Sequence, residues 1–201
     1  MDGKVSTVTK TVYVSSNGRA VTVFRRPDFY YALTNPKGEL KLYFPSSNEV
    51  FSRTDPALAS GEELLMLFLL GRASDLGLSN FGYKGSASVR EEGYIKRTFT
   101  SPEAARPTVE IVYDNYLPIF CCYTDPSGRV LSKKYFSHYI RESRFIFPGR
   151  VDDITYNAHK KDSTVVRTLY SNLQIDSSAP EFDFEIPAGA KPVQIDPTTL
   201  K

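Results

Sequence analysis

The stretch Thr168–Pro192, TLYSNLQIDSSAPEFDFEIPAGAKP, reads as a polar-apolar strand and a Ser-Ser-Ala-Pro break. Phe182, Phe184 and Ile186 then alternate with acidic residues up to Pro187. Alternation with period two predicts a half-buried strand over Phe182 to Ile186, and Pro187, which has no amide proton to give a ladder, ends it. Outward from this segment the same rhythm recurs. Val5 to Val14 alternates Val with Thr, Lys and Tyr, and Ser15-Ser16-Asn17-Gly18 supplies the Asn-Gly pair favoured in tight hairpins. Ala20 to Arg26, Phe29 to Thr34 and Leu40 to Phe44 follow, separated by Pro27 and by Asn35-Pro36-Lys37-Gly38. A second series runs from Gly93 to Ile175, with Asp125-Pro126-Ser127-Gly128 as a further turn. Short strands punctuated about every ten residues predict a meandering antiparallel sheet.

One segment departs from period two. Ser60-Gly61-Glu62-Glu63 has the form of a capping box, and Leu64-Leu65-Met66-Leu67-Phe68-Leu69-Leu70 follows before Gly71. A helix of about three turns is expected there. Its middle is apolar on every side, so packing one face on a sheet leaves leucines that need a second apolar surface. Two arrangements meet that need. The helix is plugged into the concave side of a curved sheet with protein all round, or one stripe, with Leu65, Phe68 and Leu69, faces a cavity that accepts an acyl chain.

The chain has 201 residues, 41% of them hydrophobic, enough for one good core, and a single domain over residues 1–201 is expected, with 188–201 as a tail. A net charge of +2 from 25 basic and 23 acidic residues leaves no electrostatic footprint for nucleic acid. The doublets Lys133-Lys134 and Lys160-Lys161 read as solvated strand ends. No apolar run is long enough for a transmembrane segment. Asp-Gly-Lys-Val after Met1 is not a signal peptide, which implies either a cytoplasmic chain or an exported one whose leader has been removed. Cys121 and Cys122 are adjacent, point to opposite faces of a strand and cannot readily bridge each other, so a buried structural role is expected.

Enzyme chemistry finds little support. His138 and His159 are the two histidines, one in a Tyr-rich strand and one in a Lys-rich turn, and no cluster at ligand spacing surrounds either. There is no G-x-S-x-G elbow and no phosphate-binding glycine loop. Glu91-Glu92 and Asp152-Asp153 read as solvated strand ends beside Gly or Arg. No catalytic residue, metal or cofactor is expected.

The closing F-x-F-x-x-P pattern, with Phe182, Phe184, Ile186 and Pro187 in place, resembles the last strand of the bacterial outer-membrane lipoprotein-sorting (LolA-like) family. Arg25-Arg26-Pro27 before the aromatic Phe29-Tyr30-Tyr31 matches that family's early strands in type and order, and Leu117-Pro118-Ile119 with Asp125-Pro126-Ser127-Gly128 is similar to its later half. The resemblance spans about Val5 to Val193. It implies a mainly β (α+β) fold: a curved antiparallel half-barrel sheet, expected as one continuous sheet, with a helix on its concave side. It differs in lacking the family's helix before the first strand and in having Pro45-Ser46-Ser47-Asn48 in place of a glycine-containing turn. The implied function is a periplasmic binding protein holding acyl chains of lipoproteins or other lipids. The alternative is a cell-envelope interaction or regulatory module with envelope protein partners and no lipid cargo. The lipid-binding residues that follow are Phe24, Arg26, Phe29, Tyr31, Leu65, Phe68 and Leu69. By the same resemblance Arg26 hydrogen-bonds to the lid, with the carbonyls around Leu70 and Gly71 as targets, although an Arg that ends a strand before Pro27 is equally read as a solvated rim residue.

Overall fold

The computed structural model describes residues 5–35, 37–54, 67–68, 71, 73–157 and 162–194. Two compact units divide the chain: Met1–Glu62 with Ser177–Lys201, and Glu63–Asp176. Each has its own sheet, so the expected single continuous sheet is corrected to two; both are curved and neither closes into a barrel.

In the first unit β1 (Thr9–Val14), β2 (Ala20–Arg26), β3 (Tyr30–Thr34), β4 (Glu39–Phe44) and β5 (Glu49–Thr54) form an antiparallel meander in chain order. The β1–β2 turn is a five-residue loop rather than a two-residue one. The Gly18 amide donates to the Ser15 carbonyl, the Ser15 amide donates to the Arg19 carbonyl, and Gly18 takes the left-handed conformation at φ 83° that closes a type I turn. Asp125–Arg129 repeats this arrangement in the second unit, with Gly128 at φ 87°.

The pleat sorts the side chains of this meander. Register pairs Phe24 with Tyr30, and Val23 with Tyr31 and in turn Tyr43. One face therefore carries Phe24, Tyr30 and Phe44, and the other carries Tyr13, Val21, Val23, Tyr31 and Tyr43.

The segment Phe182 to Ile186 is not a strand. Pro180–Asp183 is a 3-10 helix, with Pro180 in its first turn and Glu181 and Asp183 at its positive end. The backbone is held by a side chain rather than by a ladder: the Arg19 guanidinium donates to the carbonyls of both Phe182 and Phe184. That fork of donors takes the groups that a neighbouring strand would have used, which is the physical reason the period-two pattern does not become a strand. The rings still turn onto the sheet. Phe182 meets Tyr13 edge to face at 5.5 Å, and Phe184 stacks on Tyr31 at 4.0 Å. The chain thus crosses the sheet as a strap and finishes as β14 (Lys191–Pro192), a two-residue parallel pairing with β5 in which the Lys191 amide donates to Asn48 and the Val193 amide to Val50.

The second unit is built from β6 (Lys84–Gly85), β7 (Val89–Glu91), β8 (Tyr94–Thr100), β9 (Thr108–Asp114), β10 (Leu117–Thr124), β11 (Val130–Glu142), β12 (Phe145–Tyr156) and β13 (Ser163–Leu169). Their order is β13-β12-β11-β10-β9-β8-β6, with β7 also on β8. The strand expected over Val165 to Ile175 ends at Leu169. One face carries the core: Phe99, Val109, Ile111, Tyr113, Cys121, Phe136 and Val151, with Leu78 of a 3-10 helix, Leu78–Phe81, packed on it. The opposite face carries charge, including Lys96 bridged to Glu110 at 3.0 Å and Asp152 held by Arg150 and Arg167 at 2.7 and 2.6 Å. Asp152 and Asp153 accordingly sit within β12 and not at a solvated strand end. Gly149 is required where β11 and β12 approach: His138 has φ 53°, and a Cβ on Gly149 would lie 2.6 Å from its carbonyl oxygen.

Candidate functional site

Of the expected helix, Leu67 and Phe68 are described and helical; the rest, including Leu65 and Leu69, lies outside the described residues, as does His159. Leu67 is buried. Phe68 meets Phe147 edge to face at 5.4 Å and Tyr139 at 6.2 Å, and Phe147 in turn meets Tyr170 at 4.7 Å. Four rings from the helix, β11, β12 and the residue after β13 thus form one aromatic group. Tyr139 and Tyr170 also pack against the core of the unit. Burial raises the Tyr139 phenol far above its ordinary value, and its hydroxyl donates to the Pro118 carbonyl. Tyr113, raised by burial in the same way, donates to the Ser74 carbonyl. Each hydroxyl has a backbone partner, so the rings present apolar faces and edges to this side of the sheet.

The early-strand residues divide. Phe24 stacks on Tyr30 at 4.2 Å, with the Lys10 ammonium 5.7 Å from its ring centre. Tyr31 lies on the opposite face under Phe184, with Phe29 at its edge at 5.4 Å and 47% exposed. Phe24 and Tyr31 therefore do not line one surface, because 24 and 30, not 24 and 31, are cross-strand partners. Arg26 ends β2 opposite Thr9 and is exposed. On the strap face a cavity of about 340 Å³ is lined by Arg19, Thr34, Glu39, Lys41 and Glu185 beside Leu33. Its rim is charged, the wrong chemistry for an acyl chain.

Sequence reasoning missed a row across the second unit's apolar face. Register aligns Ile111, Cys121, Lys134, Asp153 and Val166 on successive strands, so all five share a face. Lys134 Nζ is 2.5 Å from Asp153 Oδ2, while Asp153 Oδ1 is buried with no hydrogen-bond partner. Beside them the Cys121 thiol is fully buried and pushed up to about 12, chiefly by loss of water. Burial likewise raises the neighbouring Tyr123 phenol. The available signal was the doublets themselves: adjacent residues in a strand point to opposite faces, so Lys133-Lys134 and Asp152-Asp153 each had to place one charge on the core side. Among the described residues no group of three or more His, Cys, Asp or Glu is placed to hold a metal, and no helix is long and apolar enough to cross a membrane.

Comparison with solved structures identifies the architecture. A DUF1329 family protein from Desulfovibrio piger superposes with a TM-score of 0.60 at 17% identity, covering 92% of this chain and 84% of that one. A domain ascribed to an outer membrane lipoprotein-sorting protein from Vibrio parahaemolyticus gives 0.55 at 13% identity, covering 88% and 80%. A LolA superfamily protein from Nitrosomonas europaea gives 0.51 at 12%, covering 86% and 81%. No family model and no curated protein matches the sequence. The chain has a LolA-like fold.

Proposed function

We propose that this chain is a cell-envelope binding protein of the lipoprotein-carrier type, which shelters an acyl chain against the apolar face of its second unit and performs no covalent chemistry. The observation that carries the reading is the aromatic group beside that sheet's core, in which Phe68 meets Phe147 and Tyr139 and Phe147 in turn meets Tyr170. The fold it shares with a lipoprotein-sorting domain supports the same reading and a periplasmic location. Each methylene removed from water contributes about 0.8 kcal/mol, so a chain of about sixteen carbons gives about 13 kcal/mol, and an association and ordering cost of about 5 kcal/mol leaves a micromolar affinity. Phe68, Leu65 and Leu69 are proposed as acyl contacts.

A second reading, an envelope interaction module without lipid cargo, is favoured by the edge strand β13, where Val165, Val166 and Leu169 are 57%, 56% and 69% exposed. Apolar residues along an edge strand invite pairing with another chain. Titration with a fluorescent fatty acyl probe, with native mass spectrometry for a lipid-sized adduct, separates the two. Saturable micromolar binding that changes several-fold in Phe68→Ala is expected of a carrier. Absence of binding in both proteins, with a stability loss of about 3 kcal/mol in the variant, would make Phe68 a core residue only and favour the interaction module.

A further inference from the structure

The face that would receive an acyl chain carries Arg97, in register with Ile111, and one ion pair, Lys134 with Asp153. Both residues lie inside strands, in register with the fully buried Cys121, and their side chains are 36% and 27% exposed, so the pair opens on one side. Nearby Phe136 and Val151, themselves cross-strand partners, are buried core residues. A charged pair in such a place loses hydration that its mutual attraction does not fully restore, and an apolar pair of similar volume would cost less. The pair is also incomplete. Lys134 takes Oδ2, and Oδ1 has neither a protein donor nor exposure to water. Buried polar oxygens nearly always have a partner, and Oδ1 can accept a donor.

On the reading that the face takes acyl chains, we propose that Lys134 and Asp153 form the head-group site. Asp153 Oδ1, uncovered as the ligand enters beside the pair, accepts a hydrogen bond from a hydroxyl or amide N–H at the polar end of the ligand, and Lys134 Nζ donates to its ester or amide carbonyl. The ligand class is therefore an amphiphile with a neutral, hydrogen-bond-donating head, such as an acylglycerol or an N-acyl amide. The carboxylate of a free fatty acid is excluded from Oδ1 by like charge. The aromatic group around Phe147 would hold the chain.

The test compares a 1-monoacylglycerol with the methyl ester of the same acyl chain, each displacing a fluorescent acyl probe from the full-length protein. A hydrogen bond to a charged oxygen predicts that the monoacylglycerol binds at least about tenfold more tightly. The double variant Lys134→Leu/Asp153→Leu removes both charges at once and leaves neither unpaired; it should bind the two ligands equally, with methyl ester affinity no weaker than in the parent. Equal binding of both ligands to the parent protein would overturn the head-group site and leave acyl binding standing. A tenfold preference that survives in the double variant would place the head elsewhere and overturn it as well. Binding of neither ligand would overturn the acyl reading itself. The comparison in the parent protein decides the matter even if the double variant fails to fold.

Discussion

Replacing Phe184 by Ala should loosen the strap without unfolding the second unit. A fully buried Phe→Ala change costs about 3–5 kcal/mol. Phe184 is only partly buried, but it stacks on Tyr31 at 4.0 Å and lies 6.2 Å from Tyr43, and such ring pairs contribute about 0.5–1.5 kcal/mol beyond area. About half the full-burial cost gives roughly 2 kcal/mol, equivalent to an increase of about 30-fold in the opening equilibrium. The amides that report it are Lys191 and Val193, whose partners are the carbonyls of Asn48 and Val50. Native-state hydrogen exchange should show both losing about 30-fold protection in Phe184→Ala. The amides of Val109 and Ile111 should keep theirs, since they belong to the other unit's sheet. A cycle with Tyr31→Ala should return a coupling of about 1 kcal/mol. If Lys191 and Val193 exchange within twofold of the parent rates, the strap is held by the Arg19 fork and β14 alone, and the energetic reading of the ring stack is wrong.

Two further outcomes concern titratable groups. Because burial raises the Cys121 thiol to about 12 in the folded chain, its contribution to stability is complete below the ordinary thiol value and is lost as pH rises toward 12; in Cys122→Ser the remaining thiol should react with a disulfide reagent at pH 8 only at the rate of unfolding, and immediate reaction would refute its burial. The Arg167 and Arg150 guanidiniums hold the Asp152 carboxyl below its ordinary value, so its stabilisation is present above about pH 4 and is lost as pH falls through the lowered value; Asp152→Asn should therefore be less stable than the parent by about 1 kcal/mol or less at pH 7, with the gap narrowing as urea titrations are taken to lower pH, and a gap independent of pH across the acid range would assign the effect to packing.

The strand-and-turn rhythm was legible because it depends on local chemistry. Gly18 and Gly128 occupy the left-handed positions that their turns demand, and alternation marked most strands to within a few residues. Division into two sheets was not legible, since nothing in β5 or β6 states which strand lies beyond its edge. The closing segment failed for a related reason. Phe182 and Phe184 alternate as they would in a strand, and what diverts them is Arg19, a side chain 163 residues earlier in sequence than Phe182. Tertiary contact overrode pattern there. For the candidate site, composition pointed to Phe68 as an apolar anchor. The aromatic partners Tyr139, Phe147 and Tyr170 required strand register to bring them together, and the Lys134–Asp153 pair was hidden in two doublets whose inward members only the pleat identifies.

The strap also sets an order of assembly. The first meander, complete as strands by Thr54, has the side carrying Tyr13, Tyr31 and Tyr43 without its cover until Phe182 and Phe184 have been made. The sequence between, Glu63–Asp176, is a continuous unit with its own core, so it is available to fold during synthesis while the earlier strands wait. A chain halted before Pro180 would expose three tyrosine rings and an unpaired β5 edge, a surface suited to capture by a chaperone or by another such chain.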